Sequence, residues 1–252
     1  MGDIKDMRDD LGQLDEKIIG REYFKLKKYE KSLQLDILFK RGFDLYYSFA
    51  QANVNLSEST EKNIKLDGWE LESESMEYKM RFFVRMNKLK SAILMYNSVE
   101  DYILQIIAFA YKLNLKYYSQ VFDYSKINCK KDFQNKIKKI NYSNVEAALT
   151  ESAYEDIKSI IYNYKNDVKV SNLRDSTNDI KHKRDFFIHG FSENSNKGIV
   201  QLANQGIYDC EWTNNDEYDI EQIIDTCYEV QPIIRKYVSD VYNNIAQKYG
   251  IE

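Results

Sequence analysis

Proline is almost missing from this chain: Pro232 is the single one in 252 residues, and glycine occurs only 9 times. Folds built from many short strands need frequent Gly and Pro at their turns, so this scarcity disfavours an all-β protein and favours long helices. Cysteine and histidine are equally sparse, at 3 and 2 copies. Cys129, Cys210 and Cys227 are far apart and form no C-x-x-C pair. That argues against a structural zinc site and against a secreted disulfide scaffold. The expectation is no metal and no cofactor. Long apolar runs are absent too. The most apolar stretch, residues 102–111, lies between charged flanks and falls short of the ~20 residues a membrane helix requires. Residues 1–10 are charged and lack the apolar centre of a signal peptide. A cytoplasmic protein with no membrane partner is therefore expected. Excess positive charge is lacking as well. A net charge of −4 speaks against broad nonspecific coating of nucleic acid, while leaving room for a local RNA site.

What is present is ordinary for a globular chain, with 43% hydrophobic and 30% charged residues, enough to bury a sizeable core. Tyrosine is abundant, at 21 copies. Its ring packs while its hydroxyl stays near water; half-buried helix positions account for most of these residues, although tyrosine also stacks on bases.

The apolar periodicity predicts an all-α fold, a multi-helix bundle of long antiparallel helices. Leu26, Tyr29, Leu33, Ile37 and Leu45 mark one face of a helix over residues 15–53, with Gly42 as a candidate bend. The Ser/Glu/Asn-rich residues 54–73 read as a loop. This divides the chain into a helical extension over residues 1–73 and a bundle over residues 74–252, unless the two form one continuous domain. A second helix is expected over residues 75–113, apolar most of the way round near Ile103 to Ala110, with Asn97-Ser98 as a candidate interruption. Residues 119–140 give a weaker, basic helical pattern, and Asn144 is a candidate cap for a short helix that follows. Another helix is predicted over residues 152–168, then a polar connection at 171–178, then a helix ending at His189 with Gly190 as its stop. Gly198 to Leu202 and Gly206 to Tyr208 suit one small β-hairpin near residues 198–210. Asp219 with Gln222 resembles a capping box for the last helix, which Pro232 should kink.

One segment carries chemistry: Lys181-His182-Lys183-Arg184-Asp185-Phe186-Phe187-Ile188-His189-Gly190. On a helix, Arg184 and His189 lie roughly 7–8 Å apart along the axis, within reach of the long Arg side chain. Histidine can take or give a proton near neutral pH, and arginine can stabilise charge building on phosphate oxygens. Together they offer what phosphodiester cleavage needs, in a scheme that requires no metal. The competing reading makes His189 a helix-end histidine favoured by the dipole and Arg184 a solvated or salt-bridged residue. His182 sits about 200° around the helix from Arg184 and should face elsewhere.

Arg184, the polar Asp185, His189 and Gly190, late in an all-α pattern, resemble the motif of the HEPN superfamily of helical nucleotide-binding domains. The segment Asn97-Ser98-Val99-Glu100-Asp101-Tyr102-Ile103 looks like that family's early core helix. The resemblance implies a metal-independent endoribonuclease, often found in bacterial defence or toxin systems, whose homodimer brings two motifs to one cleft. It implies Arg184 as phosphate stabiliser and His189 as general acid or base, with Asp185 orienting Arg184 or a ribose hydroxyl. It also implies RNA as substrate and an antitoxin or defence-complex partner. The chain departs from one subgroup at Phe191, which offers no hydroxyl where that subgroup carries a modifiable tyrosine. Some family members are inactive, so a non-catalytic RNA- or nucleotide-binding or protein-interaction module is the alternative, and a helical scaffold the third. Lys126, Lys130, Lys131, Lys181 and Lys183 are candidate RNA-backbone contacts. The basic run within residues 126–139 also reads as a solvated helix face.

Overall fold

The computed structural model describes residues 33–65, 74–117, 120–123, 137, 140–182 and 219–249. These residues form an all-α bundle with one small hairpin. Helix α1 spans Leu33–Thr60 and α2 spans Glu74–Ala110; strands β1 (Asn114–Tyr117) and β2 (Gln120–Asp123) follow. Then come α3 (Tyr142–Glu151), α4 (Glu155–Lys165), α5 (Val168–His182) and α6 (Ile220–Tyr249).

Three long helices build the frame. Arg85 reaches Ser59, Tyr96 reaches Asn53, and Arg41 lies over the Tyr102 ring. Residue numbers fall along α1 as they rise along α2, so the two run antiparallel. Helix α6 is antiparallel to α1, since Gln231 meets Asn53 while Gly42 meets Tyr242. It therefore runs parallel to α2. The core follows the apolar stripes: Leu45, Phe49, Ala52 and Leu56 from α1, Leu89, Ile93, Tyr96 and Ile103 from α2, Cys227, Ile234 and Val241 from α6. Ile103, Leu104, Ile106, Ile107, Ala108, Phe109 and Ala110 are all buried. That end of α2 is surrounded on nearly every side, as an apolar run broken only by Gln105 implies.

Several boundaries differ from those expected. Helix α1 continues through residues 54–60, because Asn55, Leu56 and Ser59 extend its buried stripe despite their polar neighbours. The Ser59 and Thr60 hydroxyls bond back to the carbonyls of Leu56 and Ser57 and finish the last turn. Asn97-Ser98 does not interrupt α2, since Ser98 donates to the Met95 carbonyl within the helix. Residues 120–123 are a strand, not helix. Asn114 pairs with Asp123 and Tyr117 with Gln120, and the alternation puts Leu115 inward and Lys116 outward. The hairpin expected near residues 198–210 lies outside the described residues.

The cap of α3 is Asn141, whose side chain accepts from the Asn144 backbone N–H; Asn144 is the third residue inside. The polar residues 171–178 are helical. The break falls instead at residues 166–167, where the Asp167 carboxylate accepts from the Lys169 and Val170 N–H groups and starts α5. Polar composition was misleading there because Val170, Leu173 and Thr177 keep a buried stripe. Asp219 caps α6 by accepting from the Glu221 N–H, and α6 continues through the exposed Pro232. Gly42 lies inside α1 and makes room for the Tyr242 hydroxyl, which is 2.9 Å from where a β-carbon would be.

No helix among the described residues is long and apolar enough to cross a membrane.

Candidate functional site

Helix α5 is the element that delivers the chain to the Arg184–His189 segment. It ends at His182, with Lys181 in its last turn. Arg184, Asp185 and His189 lie outside the described residues, as do Lys126, Lys130, Lys131 and Lys183. What the structure does define is how α5 is held.

Val170, Leu173 and Thr177 bury one face of α5 against α2 and α6, and Ile180 extends it. The second anchor is electrostatic. Glu100, on α2, is buried within the apolar stripe between Tyr96 and Ile103. One of its carboxylate oxygens receives the Lys165 ammonium at 3.2 Å, from the end of α4; the other receives the Arg174 guanidinium at 3.1 Å, from α5. Arg174 also donates to the Lys165 carbonyl at 3.3 Å. One carboxylate thus ties three helices at the α4–α5 corner. A buried charge is tolerated only when paired and hydrogen-bonded, and both oxygens of Glu100 are.

Aromatic rings close the clamp. Tyr164 stacks on Tyr237 with centroids 3.9 Å apart and planes 8° from parallel. Lys165 lies over the Tyr142 ring at 5.2 Å. Burial raises the pKa of the Tyr164 hydroxyl, and the nearby Glu100 charge raises it further against the opposing pull of Arg174. Tyr237 is pushed up by burial, then by Tyr164 and Glu100. Tyr142 is pushed up to about 12, by burial first and then by Glu146, to which it donates a hydrogen bond. All three hydroxyls therefore remain protonated at neutral pH. With a cation on each oxygen, Glu100 ties α5 and the end of α4 to α2.

A second buried polar knot joins the long helices. The Asn53 carbonyl oxygen accepts from the Tyr96 hydroxyl at 2.5 Å and from the Gln231 amide at 2.8 Å. Arg85 donates to the Ser59 carbonyl at 2.7 Å and pairs with Glu221 at 2.8 Å. Periodicity missed Glu100, Arg85, Asn53 and Gln231. Their one sequence signal is a polar residue falling on an apolar stripe, which does not name the partner.

Among the described residues, no group of three or more His, Cys, Asp or Glu side chains could hold a metal ion. Cys227 is buried, with its thiol pKa pushed up to about 12 by burial, so it is a packing residue and not a nucleophile. No family model matches the chain, and neither the curated proteins nor the solved structures contain a significant match.

Proposed function

We propose that the chain is a metal-independent endoribonuclease of HEPN type, with Arg184 and His189 as its catalytic pair and Asp185 as an orienting residue. The observation that carries this reading is the Arg184-Asp185…His189-Gly190 cluster, which follows directly on α5, a helix anchored in an all-α bundle. In the reaction, a ribose 2′-hydroxyl loses its proton and attacks the adjacent phosphorus. The P–O5′ bond breaks, and the leaving 5′-oxygen takes a proton. The products are a 2′,3′-cyclic phosphate and a 5′-hydroxyl. His189 transfers a proton in this step and Arg184 stabilises the charge on the phosphoryl oxygens. One arginine and one histidine make a thin catalytic set, so a homodimer pairing two copies in one cleft fits the reaction. RNA is the substrate, Lys181 and Lys183 flank the motif as backbone contacts, and the setting is cytoplasmic, in a defence or toxin system with an antitoxin-like partner.

The test is incubation of purified protein with total RNA in EDTA, beside Arg184→Ala and His189→Ala variants checked for folding by thermal melting. Cleavage should persist in EDTA. His189→Ala should slow it by roughly 100-fold or more with little change in RNA binding, and Arg184→Ala should weaken both. A folded, fully active His189→Ala protein refutes the assignment. RNA binding without cleavage by the wild type identifies a non-catalytic binding module instead.

A further inference from the structure

At the end of the bundle away from the α1–α2 connection, a cavity of about 350 Å³ opens between the start of α4 and the last turns of α6. Its lining includes Tyr111, Tyr154, Glu155, Asp156, Asn244 and Lys248. The two tyrosine rings meet edge to face, with centroids 4.8 Å apart at 68°, and form an aromatic corner. The Lys248 ammonium sits in that corner, 4.7 Å from one ring centroid and 4.8 Å from the other. The Tyr111 hydroxyl donates to the Asn244 side-chain oxygen, which fixes one wall.

The chemistry of this lining selects a cation. Two ring faces already hold an ammonium group, the arrangement by which aromatic side chains recognise organic amines. Glu155 and Asp156 add carboxylates on the same cavity. Glu155 has a loose ion pair with Lys158 at 3.5 Å, and Asp156 lies beside it, exposed in the first turn of α4. The field of Asp156 reaches the corner, because it helps burial and Tyr154 raise the Tyr111 pKa to about 12. An anion is disfavoured even though α4 begins here. The first turn already carries Glu155 and Asp156, which answer the helix dipole and repel a second negative charge. The cavity is open to solvent along the exposed Glu155, Asp156 and Lys248, and at about 350 Å³ it is larger than one lysine head requires.

The geometry points to a binding site for a linear aliphatic polyamine, in which the ligand's ammonium groups occupy the tyrosine corner and pair with Asp156, and Lys248 is the resident group they displace. The probe is spermidine, titrated calorimetrically into the whole chain at moderate salt, with inorganic phosphate as the anionic control. Wild type should bind spermidine and not phosphate. Lys248→Ala should tighten spermidine binding by about ten-fold, because it vacates two ring faces and removes a competing charge. Tyr154→Leu and Asp156→Asn should each weaken binding at least several-fold, whereas Asp225→Asn, an exposed charge elsewhere on α6, should not. Far-ultraviolet circular dichroism and melting show that each variant is folded. Three results would overturn the proposal: no spermidine binding by either wild type or Lys248→Ala, weaker binding by Lys248→Ala, or equal losses from Asp156→Asn and Asp225→Asn. The last marks nonspecific attraction to an acidic protein.

Discussion

Replacing Glu100 by glutamine keeps the shape of the side chain and removes its charge. Lys165 and Arg174 then face a neutral amide in a site where the Glu100 side chain is only 11% exposed. Removing one partner of a fully buried ion pair costs about 3–5 kcal/mol, chiefly through the charge left behind. Here the cations keep some water, with the Lys165 side chain 29% and the Arg174 side chain 20% exposed. Discounting for that screening gives a loss of about 2–3 kcal/mol. For a domain of this size each kcal/mol lowers Tm by about 2–4 °C, so the transition should fall by about 4–12 °C. The assay is thermal and urea unfolding of Glu100→Gln and of a Glu100→Met, Lys165→Met, Arg174→Met triple variant. If the cost comes from stranded charge, the triple variant should recover most of the stability, since apolar replacement of a whole buried ion cluster is often near neutral. A Glu100→Gln protein that melts like the wild type would refute the reasoning. So would a triple variant less stable than the single one.

Gly42→Ala places a β-carbon 2.9 Å from the Tyr242 hydroxyl and should destabilise the chain; in the Tyr242→Phe background the same change should be neutral or stabilising by up to ~1 kcal/mol, as a helical Gly becomes Ala, with chemical denaturation reading both. Ala153 holds φ at 56° where α3 ends, so Ala153→Gly should raise stability by up to ~1 kcal/mol, a small upward shift in melting. Tyr111, Tyr142 and Cys227 all have pKa values pushed up to about 12. A raised native value means that the unfolded chain loses its protons first. Stability should therefore be intact below pH ~8.5 for the thiol and ~10 for the phenols, then decline toward pH 12, as urea midpoints against pH will show. A flat profile to pH 12 would contradict the burial assigned to these groups. Cys227 should resist a thiol reagent at pH 8 until denaturant is added.

The all-helical architecture was legible because its signals are local. Scarce Gly and Pro, apolar residues at steps of three and four, and the encircled run before Ala110 follow from the geometry of one helix at a time. The Arg184–His189 spacing is legible for the same reason, since both residues lie in one short segment. The boundaries were not. Helices α2 and α3 end with Lys112 and Ala153 in the left-handed region, at φ 52° and 56°. Leu113 N–H bonds the Ala108 carbonyl and Tyr154 N–H the Leu149 carbonyl, closing each end in the pattern for which Gly is usual. A sequence poor in glycine hides such stops, and only burial of Leu113 and the packing of Tyr154 reveal why the strain is held.

The polar core residues make the same point at longer range. Glu100, Arg174 and Lys165 are ordinary charged residues in the sequence, separated by 65 and 74 positions from carboxylate to cation. Asn53 and Gln231 are 178 positions apart. Helical periodicity says which face a residue occupies, but a hydrogen bond needs a partner within about 3 Å, and that depends on how separate helices pack. Tertiary structure therefore decided how α5 is anchored to α2, α4 and α6, and which rings and carboxylates surround Lys248, because both are set by contacts between elements rather than within one.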